Sequence, residues 1–177
     1  MMPSRIKKTT RSARSGFTLI EIMVVVTIVG ILASLAVPAF SKARQQTRVT
    51  LMVNIMKQVE TAVNEYYFQE NRWPRNQRNR DPFPADIEDR LSPQYADATP
   101  IKGRFRLRVR SANNIRNAEI ILMIRSDGRN NRITATDYEL QEIDRLLDDG
   151  DTSTGRFRII NQNRIWYTIK ERGTPFT

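Results

Sequence analysis

From Phe17 to Phe40 the chain reads FTLIEIMVVVTIVGILASLAVPAF, twenty-four residues with one charged side chain, Glu21. As a helix rising 1.5 Å per residue this run spans about 36 Å, enough to cross a hydrocarbon core of about 30 Å. Arg5, Lys7, Lys8, Arg11 and Arg14 precede it with no acid among residues 1–16, and Ile22 to Ser41 is wholly uncharged. That asymmetry predicts an N-terminus in the cytoplasm and the remainder on the far side of the membrane. The expected organisation is a basic leader over 1–16, a hydrophobic transmembrane or assembly helix over 17–40, and one globular head over 41–177 that includes the second half of a long helix.

Glu21 does not fit a plain anchor, because an ionised carboxylate inside an apolar span costs about 3 kcal/mol on insertion scales. A cost of that size calls for a partner. The string Ser15, Gly16, Phe17, Thr18, Leu19, Ile20, Glu21 resembles the cleavage and methylation motif of type IV prepilins and type II secretion pseudopilins. The resemblance implies a prepilin peptidase that cuts after Gly16 and methylates the new amine of Phe17. It further implies that Glu21 of one subunit pairs with the Phe17 amine of a neighbour in an apolar filament core, where attraction grows and screening falls. Gly30 and Pro38 match the family's helix-loosening positions, and a proline inside a helix predicts local melting or a kink near Pro38. Two other readings use the same residues. Val37, Pro38 and Ala39 satisfy the small-residue rule for an ordinary signal cut after Ala39, and a single-span anchor could tolerate Glu21 near the interface.

The chain contains no cysteine and no histidine, which excludes disulfides, thiolate chemistry, imidazole acid/base catalysis and zinc sites built on nitrogen or sulfur. No paired carboxylate motif singles out an enzyme, and no cofactor is expected. The formal charge of +10 falls to +5 without the leader's five basic residues, leaving 24 bases against 19 acids. A mature chain of that charge is only moderately basic.

Beyond Pro38 the helix pattern resumes. Met52, Ile55, Val59, Ala62, Val63 and Tyr66 recur at three- and four-residue steps, a stripe that should dock on a sheet, while the N-terminal half of so long a helix should protrude. Pro74, Pro82, Pro84, Pro93 and Pro100 mark residues 71–100 as loop with one helical turn near Ile87 to Leu91. Arg104 to Arg110 alternates arginine with Phe105, Leu107 and Val109, the period of a half-buried strand. Ala118 to Ile124 reads as a central strand, and the bend at Ser126, Asp127, Gly128 predicts a hairpin onto Arg132 to Thr136. Asp137 to Leu147 is a helix with Thr136 or Asp137 as cap, the stripe Leu140, Ile143, Leu147, and Gly150 as stop. Arg156 to Ile160 and Arg164 to Lys170 complete an antiparallel sheet. The expected class is α+β and pilin-like: one long N-terminal helix packed on a small antiparallel sheet.

Two charged patches stand out. Asp144, Asp148, Asp149 and Asp151 offer the hard oxygens calcium prefers, although their spacing is not an EF-hand and a solvated helix end explains them equally well. Ile143, Asp144, Asp148 to Gly150, Thr154 and Gly155 also resemble a segment recurring in some prepilin-type heads. Arg72, Arg75, Arg78 and Arg80, with the arginine strand face, could hold nucleic-acid phosphates, or the arginine loop could mate with the acidic Asp137 to Asp151 of an adjacent head. The resulting expectation is a structural filament subunit. Its partners would be the prepilin peptidase, other pilin or pseudopilin subunits, the assembly machinery and the inner membrane. A membrane-anchored or secreted binding module, including a DNA-binding minor pilin, is the alternative. Absence of a disulfide-bounded loop favours a pseudopilin or minor subunit over a major pilin.

Overall fold

The computed structural model describes residues 17–75, 81–96, 99–110 and 119–172. The chain divides into two compact units, 1–42 and 43–177. Helix α1 (Leu19–Glu70) contributes to both.

Within the first unit the residues from Leu19 onward are helical, and every large apolar side chain from Phe17 to Phe40 is at least half exposed. A helix that is apolar on all faces and buried on none must be covered by lipid or by other helices. The backbone stays helical through Gly30 and through Pro38, so of the two outcomes expected at the proline, melting or a kink, melting is not seen. Proline removes one donor there, but the rest of the helix holds the turn.

In the second unit the α1 stripe is buried as its spacing predicts: Val49, Met52, Val53, Ile55, Met56, Val59, Ala62, Val63 and Tyr66. It packs into one core with a four-stranded antiparallel sheet of order β1-β2-β4-β3, formed by β1 (Arg104–Arg110), β2 (Glu119–Arg125), β3 (Phe157–Asn161) and β4 (Arg164–Lys170). Register explains the packing. Phe105, Leu107 and Val109 lie opposite Ile124, Leu122 and Ile120, and these lead on to Ile165 and Tyr167, so one face of the sheet is apolar across three strands. The other face carries the arginines of β1. The structure thus confirms an α+β head with a long helix on an antiparallel sheet.

The loop after α1 is pinned by Trp73, which is buried and stacked on Tyr67 with ring centroids 4.1 Å apart. A short helix, α2 (Ala85–Glu88), supplies the buried Ile87 where one helical turn was expected, and a 3-10 turn over Pro93–Ala96 buries Tyr95. The expected hairpin onto Arg132 to Thr136 does not form. That segment forms no strand and joins no sheet, and two of its amides are taken elsewhere: the Ile133 amide donates to Ser126 Oγ at 3.1 Å, and the Thr134 amide to the Ile101 carbonyl at 2.8 Å. β2 pairs instead with β1 and β4.

Helix α3 (Asp137–Leu147) begins at Thr136, whose hydroxyl accepts from the Glu139 amide at 3.2 Å while Glu139 accepts from the Thr136 amide at 2.8 Å, a full capping box. Glu139 is entirely buried. Its second oxygen meets Arg48 of α1 at 3.2 Å, so one carboxylate both starts α3 and ties it to α1.

Candidate functional site

Two regions carry the candidate residues: the start of α1 and the exit of α3.

At the first, Gly16, the expected residue before the cut, lies outside the described residues together with the rest of the leader. Phe17 is 84% exposed. The next residues show what the motif does locally. The Thr18 amide and hydroxyl each donate to Glu21 Oε2 at 2.8 Å, and the Glu21 amide donates back to Thr18 Oγ1 at 3.3 Å. This is the reciprocal pattern of a capping box, with Thr18 at the N-cap and Glu21 three residues on. The T-x-x-E spacing that signals a capping box is present in Thr18 to Glu21 as it is in Thr136 to Glu139, a local role beside the intersubunit pairing and the tolerated interfacial charge that the sequence suggests. A cut after Gly16 leaves this cap intact and places a new ammonium group one residue before it. The acidic side chain is therefore positioned at the apolar helix's first turn, with one oxygen committed to Thr18 and no described bond to the other.

At the second region Asp144, Asp148 and Asp149 place carboxylate oxygens within 4.8 Å of one another, the donor type a hard cation takes; Asp151 lies outside this triad. Asp144 is not part of a solvated helix end, as expected from sequence: it is fully buried on the apolar side of α3, and neither of its oxygens has a hydrogen-bond partner. The neighbours are satisfied by the loop. Asp148 accepts from the Arg156 amide, Asp149 from the Asp151 amide at 2.9 Å and the Thr154 hydroxyl at 3.2 Å, and Asp151 from Ser153 Oγ at 2.6 Å. These bonds give the recurring Asp148 to Gly155 segment a structural role: it folds the chain back from α3 into β3.

Burial and the charges of Asp149, Asp148 and Asp151 push the Asp144 carboxyl from its ordinary 3.8 up to about 6. A raised folded-state value means that the folded protein holds a proton the unfolded chain has already released. Stability therefore falls as pH climbs from 3.8 towards 6, and above that the full cost of an ionised Asp144 is present. That cost is roughly 3 kcal/mol. In chelator, Asp144→Asn should match the wild type at pH values below 3.8 and exceed it by roughly 2–3 kcal/mol in urea unfolding above neutrality. A difference that stays constant with pH would show that Asp144 does not carry this charge.

The arginine loop is engaged locally. Arg72 lies 3.8 Å from Asp86 and over the Tyr66 ring at 5.0 Å, and the Arg75 amide donates to Asp86 at 2.8 Å. Arg78 and Arg80 lie outside the described residues. Of the seven acids from Asp137 to Asp151, Glu139 and Asp144 are buried, which shrinks the acidic surface that the arginine loop was expected to meet. A network not visible in the sequence joins α1 to the sheet: Glu60 accepts from Arg156 and, at 2.7 Å, from the Tyr167 hydroxyl, while Arg156 lies over the Tyr167 ring at 4.9 Å. Burial, then the bond to Glu60, holds the Tyr167 phenol above its ordinary range.

Known proteins resemble this chain in its N-terminal motif, its sequence and its fold. Residues 11–37 match the family described as the prokaryotic N-terminal methylation motif. The chain is 36% identical over 120 residues to the type IV major pilin protein PilE1 of Neisseria gonorrhoeae, covering 68% of this chain and 48% of that protein. It is 32% identical over 120 residues to a fimbrial protein of Neisseria meningitidis serogroup A, covering 68% and 61%. It is 43% identical over 68 residues to type II secretion system core protein G of Pseudomonas aeruginosa, covering 38% and 48%. The aligned part thus spans about half to three fifths of these relatives. In fold, the head and helix are similar to the solved structure of the major type IV pilin PilA1 from Clostridium difficile, with a TM-score of 0.52 at 14% identity over 73% of this chain and 98% of that one. Motif, relatives and fold agree in supporting the family of type IV prepilins and type II secretion pseudopilins.

Proposed function

We propose that this chain is a structural subunit of a type IV pilus-like or type II secretion pseudopilus filament, and that it performs no catalysis. A prepilin peptidase cuts after Gly16 and methylates Phe17; the subunit waits in the bacterial inner membrane with its N-terminus cytoplasmic and its head periplasmic. Assembly machinery then extracts it into a periplasmic or surface filament held by helix–helix packing among like subunits. The observation that supports this best is the pairing of an all-round apolar helix with a carboxylate in its first turn. Lipid alone would cover the apolar side chains and offer nothing to Glu21. A bundle of identical helices, each bringing one ammonium group at Phe17, covers the first and neutralises the second. Gly30 and Pro38, both within that helix, are the positions proposed to let it loosen during extraction.

Mass spectrometry of the purified protein's first peptide tests the processing step. The expected product begins at N-methylated Phe17. A chain that retains residues 1–16, or one that begins at Phe40, would instead support the anchored or secreted binding module.

A further inference from the structure

The sheet face turned away from α1 is more basic than β1 alone suggests. Arg104, Arg106, Arg108 and Arg110 line it along β1 at two-residue steps, about 6.8 Å apart. Register places Arg125 of β2 opposite Arg104, and Arg164 of β4 opposite Arg125, so three arginines stand abreast on three adjacent strands. The next rank runs Arg106, Met123, Trp166 and, on β3, Arg158. A half-buried tryptophan thus lies among the arginines, and its indole Nε1 has no hydrogen-bond partner. Only the ends of the β1 row are compensated: Arg104 meets Asp127 at 3.3 Å and Arg110 meets Glu119 at 3.1 Å. Among the described residues no carboxylate pairs with Arg106, Arg108, Arg125 or Arg164, and these four with Met123 line a shallow hollow of about 220 Å³.

Coverage of apolar surface accounts for part of this. Ile121 and Met123 belong to the same face yet are buried, and long arginine stems are suited to shielding them. Shielding does not explain the single sign, because like charges directly opposite one another destabilise a sheet and a mixture of acids and bases would shield as well. Nor does it place an indole among them. Tryptophan with unpaired arginines suits a bilayer surface: the ring settles where one end is apolar and the other wet, and the guanidinium groups meet anionic headgroups.

We propose that this face docks the head on an anionic lipid surface, with Arg106, Arg108, Arg125 and Arg164 against headgroup phosphates and Trp166 at their level. The inference rests on the membrane insertion of residues 17–40 in the function proposed above, and not on filament assembly. Inserted, that segment tethers the head, so headgroups are the anions it meets at the highest effective concentration whatever its orientation. Shape agrees with this partner: the face measures about 14 Å across four strands and about 20 Å along β1, and a membrane presents its charge in two dimensions. A single nucleic-acid strand is instead tracked along one line, with aromatic rings in series for its bases, whereas Trp166 is the one aromatic residue among the positions of this face. Docking would hold the head on the bilayer until assembly draws the chain out.

The test reconstitutes the full chain into vesicles of phosphatidylcholine alone, or of phosphatidylcholine with an equal share of phosphatidylglycerol. Both carry phosphatidylcholine spin-labelled on its headgroup, a quencher that acts at contact range. The chain has two tryptophans, and Trp73 is buried and stacked on Tyr67, so the emission lost on Trp166→Phe is that of Trp166. Trp166 should be quenched in the anionic vesicles and not in the neutral ones. Raising salt from about 0.1 to about 1 M shortens the screening length from about 10 to about 3 Å and should release it. Each arginine near an anionic surface contributes about fivefold, so replacing Arg108, Arg125 and Arg164 together by Gln should lower the ratio of docked to free heads about a hundredfold. The corresponding triple Lys variant, and a loop variant with Arg72→Gln and Arg75→Gln, should stay quenched. If the triple Gln variant fails to fold by circular dichroism, Arg108→Gln and Arg164→Gln singly should each lower the ratio about fivefold. Flotation with the vesicles separates this inference from the one beneath it. A wild-type chain that does not float refutes the inserted helix and the docking with it; one that floats with Trp166 unquenched overturns the docking alone. Equal quenching in neutral and anionic vesicles, quenching retained by the Gln variants, or its relief by oligothymidylate at the lowest salt, which would give the face to nucleic acid, each overturns the docking as well.

Discussion

Glu21→Gln should leave the subunit helical, cut and membrane-bound, yet unable to form filaments. The substitution separates two roles that reside in one side chain. Glutamine can serve at the third position of a capping box as glutamate does, so the bonds from Thr18 that start α1 survive. What disappears is the charge. In the proposed filament core that charge faces an ammonium group at Phe17 of a neighbouring copy, and removing one member of a buried pair costs on the order of 3–5 kcal/mol because the other is left uncompensated. Each 1.4 kcal/mol is a factor of about ten, so each contact weakens by more than about a hundredfold, repeated at every subunit along the fibre. Glu21→Leu removes the cap as well and should lower the helicity of the first turn, a loss typically worth about 1 kcal/mol. Electron microscopy of sheared fibres against immunoblots of the membrane fraction reads the difference. Filaments in the Gln variant but not in the Leu variant would assign Glu21 to the cap and remove the intersubunit pair from the mechanism.

How much of this was legible in the sequence depends on whether a signal is local. The α1 stripe from Met52 to Tyr66 repeats every three or four residues, and all six positions named from that period are buried. The alternation of Arg104 to Arg110 gave β1 its bounds, and β4 likewise appears over Arg164 to Lys170 as expected. Helix α3 starts and ends where its Thr136 cap and Leu147 placed it. In each case the residues that decide the structure are sequence neighbours.

The misses share the opposite property. Arg132 to Thr136 looked like a strand, but its hydrogen bonds go to Ile101 and Ser126, partners that no local pattern reveals. Glu60 carries no local signal of its role, because its partners Arg156 and Tyr167 lie 96 and 107 residues away. The basic face was seen only as β1, because Arg125 and Arg164 join it through register alone. Asp144 is the instructive case, since its signal was present: it falls four residues after Leu140 and one after Ile143, on the apolar side of α3. Its charge, together with Asp148, Asp149 and Asp151 beside it, outweighed that spacing in the reading of a solvated end.

The same loop holds a glycine whose substitution should be severe. Gly155 has φ +66°, the left-handed region, and a Cβ built there would lie 1.8 Å from Asp148 Oδ2 and 2.9 Å from its Cγ. Alanine at this position must therefore do two things at once. It must hold a left-handed backbone, at about 1–2 kcal/mol, and it must drive the Asp148 carboxylate off the Arg156 amide, a charge-assisted bond worth roughly 1.5–3 kcal/mol. Retreat brings the Asp148 carboxylate no relief from like charge, because Asp149 Oδ2 also lies 3.1 Å from that Cβ position and the Asp144 carboxylate is within 4.8 Å. Gly155→Ala should thus destabilise the head by on the order of 3–5 kcal/mol, a large share of what a domain of this size possesses. Gly128 provides the internal comparison: it has φ +74° but nothing within 4 Å of its Cβ position, so Gly128→Ala should cost only the backbone part, about 1–2 kcal/mol. Urea unfolding of the two variants separates them. Equal losses would mean that the carboxylate moves aside freely and that the Asp148 to Gly155 closure does not hold the loop.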